Sequence, residues 1–173
     1  MSARKVETPP ITVAFLLAQV GARAAQEFGR MLTPLHLTPP ETGILRLLSL
    51  SPGISQQELA HRLNMHASRL VAIIDALEER GLAERGANSR DRRIYSLYLT
   101  ETGNEALNAI ARVAHAHNDA ICAGLKEVER RQLAQLLRKI SEQQGMAPGV
   151  HPGYRSLPEP GKDACGQEPS GTK

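Results

Sequence analysis

SQQELAHRLNMHASRLVAIIDALEERGLAERGANSRDRRIYSLYLT, residues 55–100, holds two short helical patterns, a glycine stop and two strand-like runs around a basic tip. Ser55-Gln56-Gln57-Glu58 has the form of a capping box. The Ser hydroxyl accepts from the Glu58 amide and the Glu carboxylate reaches back to the Ser55 amide. The helix it starts ends near Leu63, and Asn64-Met65-His66 breaks the pattern. Leu70, Ile73, Ile74 and Leu77 then fall at i, i+3, i+4 and i+7, one face of a second helix. Gly81 supplies the left-handed residue on which helices often end. Leu82 to Arg85 and Ile94 to Leu99 read as strands, joined by Asn88, Ser89, Arg90, Asp91, Arg92 and Arg93.

Helix, tight turn, helix is the arrangement that lays its second helix in a DNA major groove. A hairpin with a cationic tip beside it makes a winged helix. LTPPETGILRLL, GISQQELAHRLNM, LVAIIDALEERGL, the D-x-R of Asp91 to Arg93, and LTETG follow in order from about Leu37 to Gly103. This series resembles the MarR family of transcriptional regulators, and flanking helices extend the resemblance to about Gln144.

Around this head the chain reads as mainly α-helical. Residues 1–10 are polar, end in Pro9-Pro10, and read as a flexible arm before a domain at 11–145. Thr8 is expected to cap the first helix, with the proline pair in its first turn. That helix, about 11–32, carries Ala14, Leu17, Gly21, Ala24, Phe28 and Leu32 on a roughly helical period. Periodicity leaves open whether it is one subunit's core or is shared between subunits; the resemblance implies the shared helix. Thr33-Pro34 ends it. Thr38-Pro39-Pro40-Glu41 is a second capping box and opens the winged helix, about 38–100, with Ile44, Leu47 and Leu48 inward. The resemblance implies that Gly53-Ile54 forms a minimal strand against the wing. Thr100 caps a long helix to about Gly124, and Glu127 to about Gln144 forms the last. These two, within 101–144, and the first helix carry apolar stripes larger than the head can cover, so they read as a dimerisation unit. Residues 146–173 are rich in Pro and Gly and cannot bury enough apolar surface to offset their ordering entropy. They read as a disordered tail.

Aromatic residues make up 3% of the chain and Trp is absent, so the core must be aliphatic. The net charge of +3 permits a nucleic-acid partner without demanding one. Residues 55–100 hold seven Arg against six Asp or Glu. Any DNA contact must therefore rest on where the charges stand. Cys122 and Cys165 make neither metal spacing nor a disulfide framework, which suits a reducing compartment. No run approaches the ~20 apolar residues of a membrane span, and no signal-peptide pattern opens the chain. A cytoplasmic protein with no membrane partner is expected. His115 and His117 lie two apart on a helix and point different ways; no metal or other cofactor is expected. No Gly-rich phosphate loop or GxSxG is present, and no enzyme is expected.

The resemblance implies a homodimer on a pseudo-palindromic operator, probed by the N-terminal turns of the second helix. Ala67, Ser68, Arg69 and Val71 match family positions that face the major groove. Arg69 has the donors for a guanine and Val71 suits a thymine methyl. Asp91 and Arg93 match the family's wing, where Arg93 would enter the minor groove and Asp91 would hold it. Arg90 and Arg92 suit phosphate contacts better than base readout. Ser55 and Gln56, at a helix N-terminus, are placed to bond a phosphate. His66 departs from the family pattern, since imidazole caps a helix poorly, and is offered to a phosphate instead. Repression relieved by a small ligand, often an anionic aromatic, is implied between head and dimer helices, with Arg23, His36 and Arg46 as its polar residues. Two alternatives stand beside this. One is a thiol redox sensor of the same fold, although this chain has no Cys in its N-terminal helix region. The other is a winged helix used only for protein contacts, which would not need an Arg-tipped wing.

Overall fold

The computed structural model describes residues 10–87, 95–146 and 149. Arg90, Asp91, Arg92 and Arg93, Thr8 in the N-terminal arm, and all of residues 146–173 except Met146 and Gly149 lie outside the described residues. The elements run α1 (Val13–Leu32), α2 (Pro39–Leu50), β1 (Ile54–Ser55), α3 (Gln56–Leu63), α4 (Ala67–Glu79), β2 (Ala83–Ala87), β3 (Tyr95–Leu99), α5 (Glu101–Ile121) and α6 (Glu127–Gln143). A short 3-10 turn, Thr33–Leu35, joins α1 to α2.

The caps explain most boundaries. Thr12, not Thr8, opens α1: its hydroxyl accepts from the Phe15 amide at 3.2 Å. The proline pair therefore precedes the cap instead of occupying the first turn. Glu41 closes the capping box of α2, its Oε2 accepting from the Thr38 amide at 2.6 Å. Ser55 forms only half of its box. Its Oγ accepts from the Glu58 amide at 3.1 Å, while Glu58 turns outward to accept from Arg62 Nε at 2.9 Å. Asn64 takes the left-handed conformation (φ 51°) that ends α3, and Gly81 (φ 66°) follows α4. Cys122, Ala123 and Gly124 make a turn, so α5 ends at Ile121, short of Gly124.

The sheet is antiparallel with order β1-β3-β2. Ile54 pairs with Leu97 on one side of β3, and Arg85 pairs with Leu97 on the other. The largest fully buried side chains are all Leu or Ile: Leu32, Ile44, Leu45, Leu48, Leu59, Leu63, Leu70, Ile74, Leu77 and Leu97. Each contributes roughly 1.5–3 kcal/mol on burial. They gather where α2, α3, α4 and the sheet meet, so α4 is fixed by its inner face and free on the other.

Outside this head, α1 lies along α5, where His117 Nε2 approaches the Ala24 carbonyl at 2.9 Å. Apolar side chains on α1 and α6 remain uncovered by the chain itself. Phe15, Leu16, Leu17 and Val20 of α1, and Leu133, Leu136, Leu137 and Ile140 of α6, are exposed, and α6 buries no residue. No helix among the described residues is long and apolar enough to cross a membrane.

Candidate nucleic-acid interface

Leu70, Ile74 and Leu77 hold α4 to the core. The opposite stripe therefore consists of Ser68, Val71, Ala72 and Asp75, at i, i+3, i+4 and i+7, and all four are exposed. Ala67 is exposed at the first position of the helix. Ala67, Ser68 and Val71 thus stand on the outer surface. Val71 is a β-branched apolar side chain 38% exposed, which a folded core would ordinarily claim.

Arg69 is placed differently. It is half-buried on the flank of α4, in a groove of about 270 Å³ that it lines with Thr38, Pro40 and Glu41 of the α2 start. The reason is phase: Arg69, Ile73 and Ala76 form the edge of α4 that meets α2, beside the outward stripe and not within it. His66 is exposed, holds the N-cap of α4, and makes no side-chain cap hydrogen bond. Its carbonyl accepts from the Leu70 amide at 3.1 Å.

Ser55 and Gln56 both have structural partners. Ser55 caps α3, and Gln56 Oε1 accepts from Arg85 Nε at 3.4 Å. Arg85 was not among the residues the sequence points to. Its Nη2 donates to Asp75 Oδ1 at 2.6 Å, its Nη1 donates to Glu78 Oε2, and its backbone amide donates to Glu78 Oε1 at 2.8 Å. Arg80 Nη1 donates to Glu41 Oε1 at 2.8 Å, and Arg62 Nη1 to Ser51 Oγ at 2.9 Å. Arg62, Arg80 and Arg85 are therefore engaged inside the head.

This geometry has solved counterparts. The family model described as MarR family matches residues 37–95. The HTH-type transcriptional repressor Rv2887 of Mycobacterium tuberculosis is 32% identical over 126 residues, covering 73% of this chain and 91% of that protein. The chain belongs to the MarR family. Among solved MarR-type structures, the transcriptional repressor CouR bound to a 23-mer DNA duplex is similar at TM-score 0.68 and 30% identity, covering 78% of this chain and 99% of that one. Rv2887 in complex with salicylic acid is similar at TM-score 0.61 and 30% identity, covering 78% and 98%. The same protein in complex with DNA is similar at TM-score 0.65 and 29% identity, again covering 78% and 98%. Like its MarR relatives, this chain is a winged-helix transcriptional regulator.

A second concave feature of this MarR-family chain lies behind the head. A cavity of about 730 Å³ opens between α1, α2 and α5, lined by Phe28, Thr42, Gly43, Arg46, Leu107, Ile110, Ala111, Ala114, His115, Asn118 and Gly149. Of the three polar residues expected near such a junction, Arg46 lines it. Arg23 is 67% exposed on α1 and pairs along its own helix with Glu27 at 3.7 Å. His36 is exposed in the left-handed conformation (φ 52°) that closes the 3-10 turn, a place where His is tolerated better than most side chains. Neither lines the cavity. Gly149 sits so close to Arg46 that a side-chain carbon there would lie 2.9 Å from Nη1.

Sequence reasoning missed most of this lining. The long helix after Thr100 read only as part of a dimerisation unit, and His115 was weighed only for a metal. Among the described residues no group of three His, Cys, Asp or Glu is placed to hold a metal. Beside Phe28, Glu27 accepts from Arg30 Nε at 3.1 and 3.2 Å. That hydrogen bond is the main cause holding its carboxyl below the ordinary value of 4.5, against the opposing effect of desolvation.

Proposed function

We propose that the protein acts as a homodimeric repressor that leaves its operator when a small anionic aromatic ligand binds. The observation that carries this reading is the division of one chain into two incomplete surfaces. The head presents Ala67, Ser68 and Val71 outward, and the terminal helices present Phe15, Leu16, Leu133 and Leu136 outward. The first surface suits a major groove and the second a twin copy. A two-fold dimer would set its recognition helices about one DNA turn, ~34 Å, apart on a pseudo-palindromic site.

Ser68 and Val71 are the base-edge residues in this reading. Ala67 allows close approach, and His66, Ser55 and Gln56 face phosphates at the rim. Arg90 and Arg92 meet phosphates, and Arg93, held by Asp91, meets the minor groove; these four rest on the motif match alone. The ligand occupies the cavity of α1, α2 and α5, with Arg46 as partner to its carboxylate. A molecule wedged between α5 and the head changes the angle between the two recognition helices, so it competes with DNA through geometry and not by overlap. The protein works by binding, without catalysis, in the cytoplasm. The DNA complexes of its relatives favour this reading over a winged helix used only for protein contacts.

The test is selection of duplexes from a random-sequence pool by the full-length protein, then titration of the selected duplex with an aromatic carboxylate. Enrichment of an inverted repeat that the carboxylate releases is expected. A pool that returns no repeat would overturn the reading.

A further inference from the structure

We propose that Arg85 is a positioning residue that fixes the wing at its working angle to the recognition helix. The inference rests on the DNA-binding reading above. Arg85 stands on β2 directly opposite Leu97, which is fully buried, so its side chain shares the inner face of the sheet. It is 19% exposed there. From that position one guanidinium reaches Asp75 and Glu78 on α4 and Gln56 on α3. The β2 strand is an edge, since the order is β1-β3-β2. The Arg85 amide turns away from β3 and donates to Glu78 Oε1 at 2.8 Å. Backbone and side chain of one residue are thus both pinned to the recognition helix.

Two consequences follow from that placement. The first is geometric. A two-stranded stem is held to the head only where its side chains engage, and the next pair outward from Arg85 and its neighbours is Ala87 with Tyr95, which is 61% exposed. Arg85 is thus a polar anchor near the outer end of the described stem. The second is electrostatic. Asp75 belongs to the outward stripe of α4 with Ser68, Val71 and Ala72, and its side chain is 57% exposed. A bare carboxylate in that stripe would repel phosphates; Arg85 neutralises it. Arginine can do both because its planar fork holds several acceptors at fixed angles, whereas lysine keeps the charge and loses the fork.

Arg85→Lys separates the two roles. The experiment is hydroxyl-radical footprinting of full-length wild type, Arg85→Lys and Glu78→Gln on the duplex that wild type selects, with denaturation midpoints measured alongside. Both variants should lose protection at the flanking minor-groove positions while keeping it at the central major-groove positions, with overall affinity about tenfold weaker. Glu78→Gln keeps the shape of the acceptor and removes its charge, so it scores the clamp even if Arg85→Lys is unstable. An unchanged footprint in the folded variants, or protection lost evenly across the site, would show that Arg85 only supports the fold. If wild type selects no duplex, the DNA-binding reading fails first, and that outcome is distinct from either variant result.

Discussion

Thr100 Oγ1 donates to the Gly81 carbonyl at 2.6 Å and accepts from the Gly103 amide at 3.0 Å. One hydroxyl therefore ties the turn after α4 to the first turn of α5. Motion of α5 reaches the recognition helix through a joint with little slack. A side-chain carbon at Gly103 would lie 2.0 Å from the Leu82 carbonyl oxygen. Alanine ordinarily gains about 1 kcal/mol over glycine within a helix. Here the collision is with backbone and outweighs that gain. Gly103→Ala should destabilise by roughly 1–3 kcal/mol, as overpacked sites do. Urea denaturation checks it, and a midpoint at or above wild type would mean that the α4–α5 joint is loose.

Glu41 serves two masters at the same end of α4. It completes the capping box of α2 and accepts from Arg80, and it is nearly buried. Glu41→Ala should lose about 2–5 kcal/mol, the sum of a lost cap and a lost charged hydrogen bond. Glu41→Gln should lose less, because its amide oxygen still accepts. Equal losses in the two variants would show that charge, not hydrogen bonding, holds this corner.

On DNA, the outward stripe and the flank of α4 should behave differently. Ser68→Ala and Val71→Ala should each alter base preference, on the scale of roughly 1–3 kcal/mol that a good base contact supplies. Arg69→Ala should weaken binding to all sequences alike, because Arg69 stands beside Pro40 and Glu41 on the edge of the helix. The measurement is affinity across single-base variants of the selected duplex. Relaxed preference at one base pair per half-site in Arg69→Ala would return the guanine-reading role to that residue.

Ligand release should depend on Arg46 alone among the three polar residues first considered. Arg46→Ala should raise the aromatic carboxylate concentration needed for release at least about tenfold, the scale of a hydrogen bond to a charged group. Arg23→Ala and His36→Ala should respond as wild type. A shift in either of those with none in Arg46→Ala would move the ligand out of the α1–α2–α5 cavity.

Acid should loosen α1. The folded carboxyl of Glu27 titrates below 4.5, so folding favours its ionised form. Its contribution is present above the unfolded value and is lost as pH falls through the folded one. Glu27→Gln should show a shallower loss of stability on the acid side, followed by denaturation midpoint against pH. Curves that stay parallel through the acid range would place the effect elsewhere.

The helices were legible because their signals are local. Thr38 with Glu41, and Thr100 with its helix, are a few residues apart in sequence and meet in the same way in space. The start of α1 was misread because two threonines flank one proline pair, and only the Phe15 amide decides for Thr12. Arg85 was invisible for the opposite reason. Its partners lie seven, ten and 29 residues away on other elements. An arginine in a strand says nothing about which carboxylate it will meet. The cavity between α1, α2 and α5 is of the same kind: Phe28, Arg46 and His115 converge only once three helices have packed.

The bare faces of α1 and α6 bring mass action into the protein's stability. When such faces are covered only by a twin, the folded state is a function of how many chains are present, and an isolated chain has no fixed melting point to speak of. Dilution then acts as a denaturant. A cell that makes few copies holds a larger share of them in a form open to proteases, and bound DNA, by keeping two chains together, prolongs the life of the regulator as well as placing it.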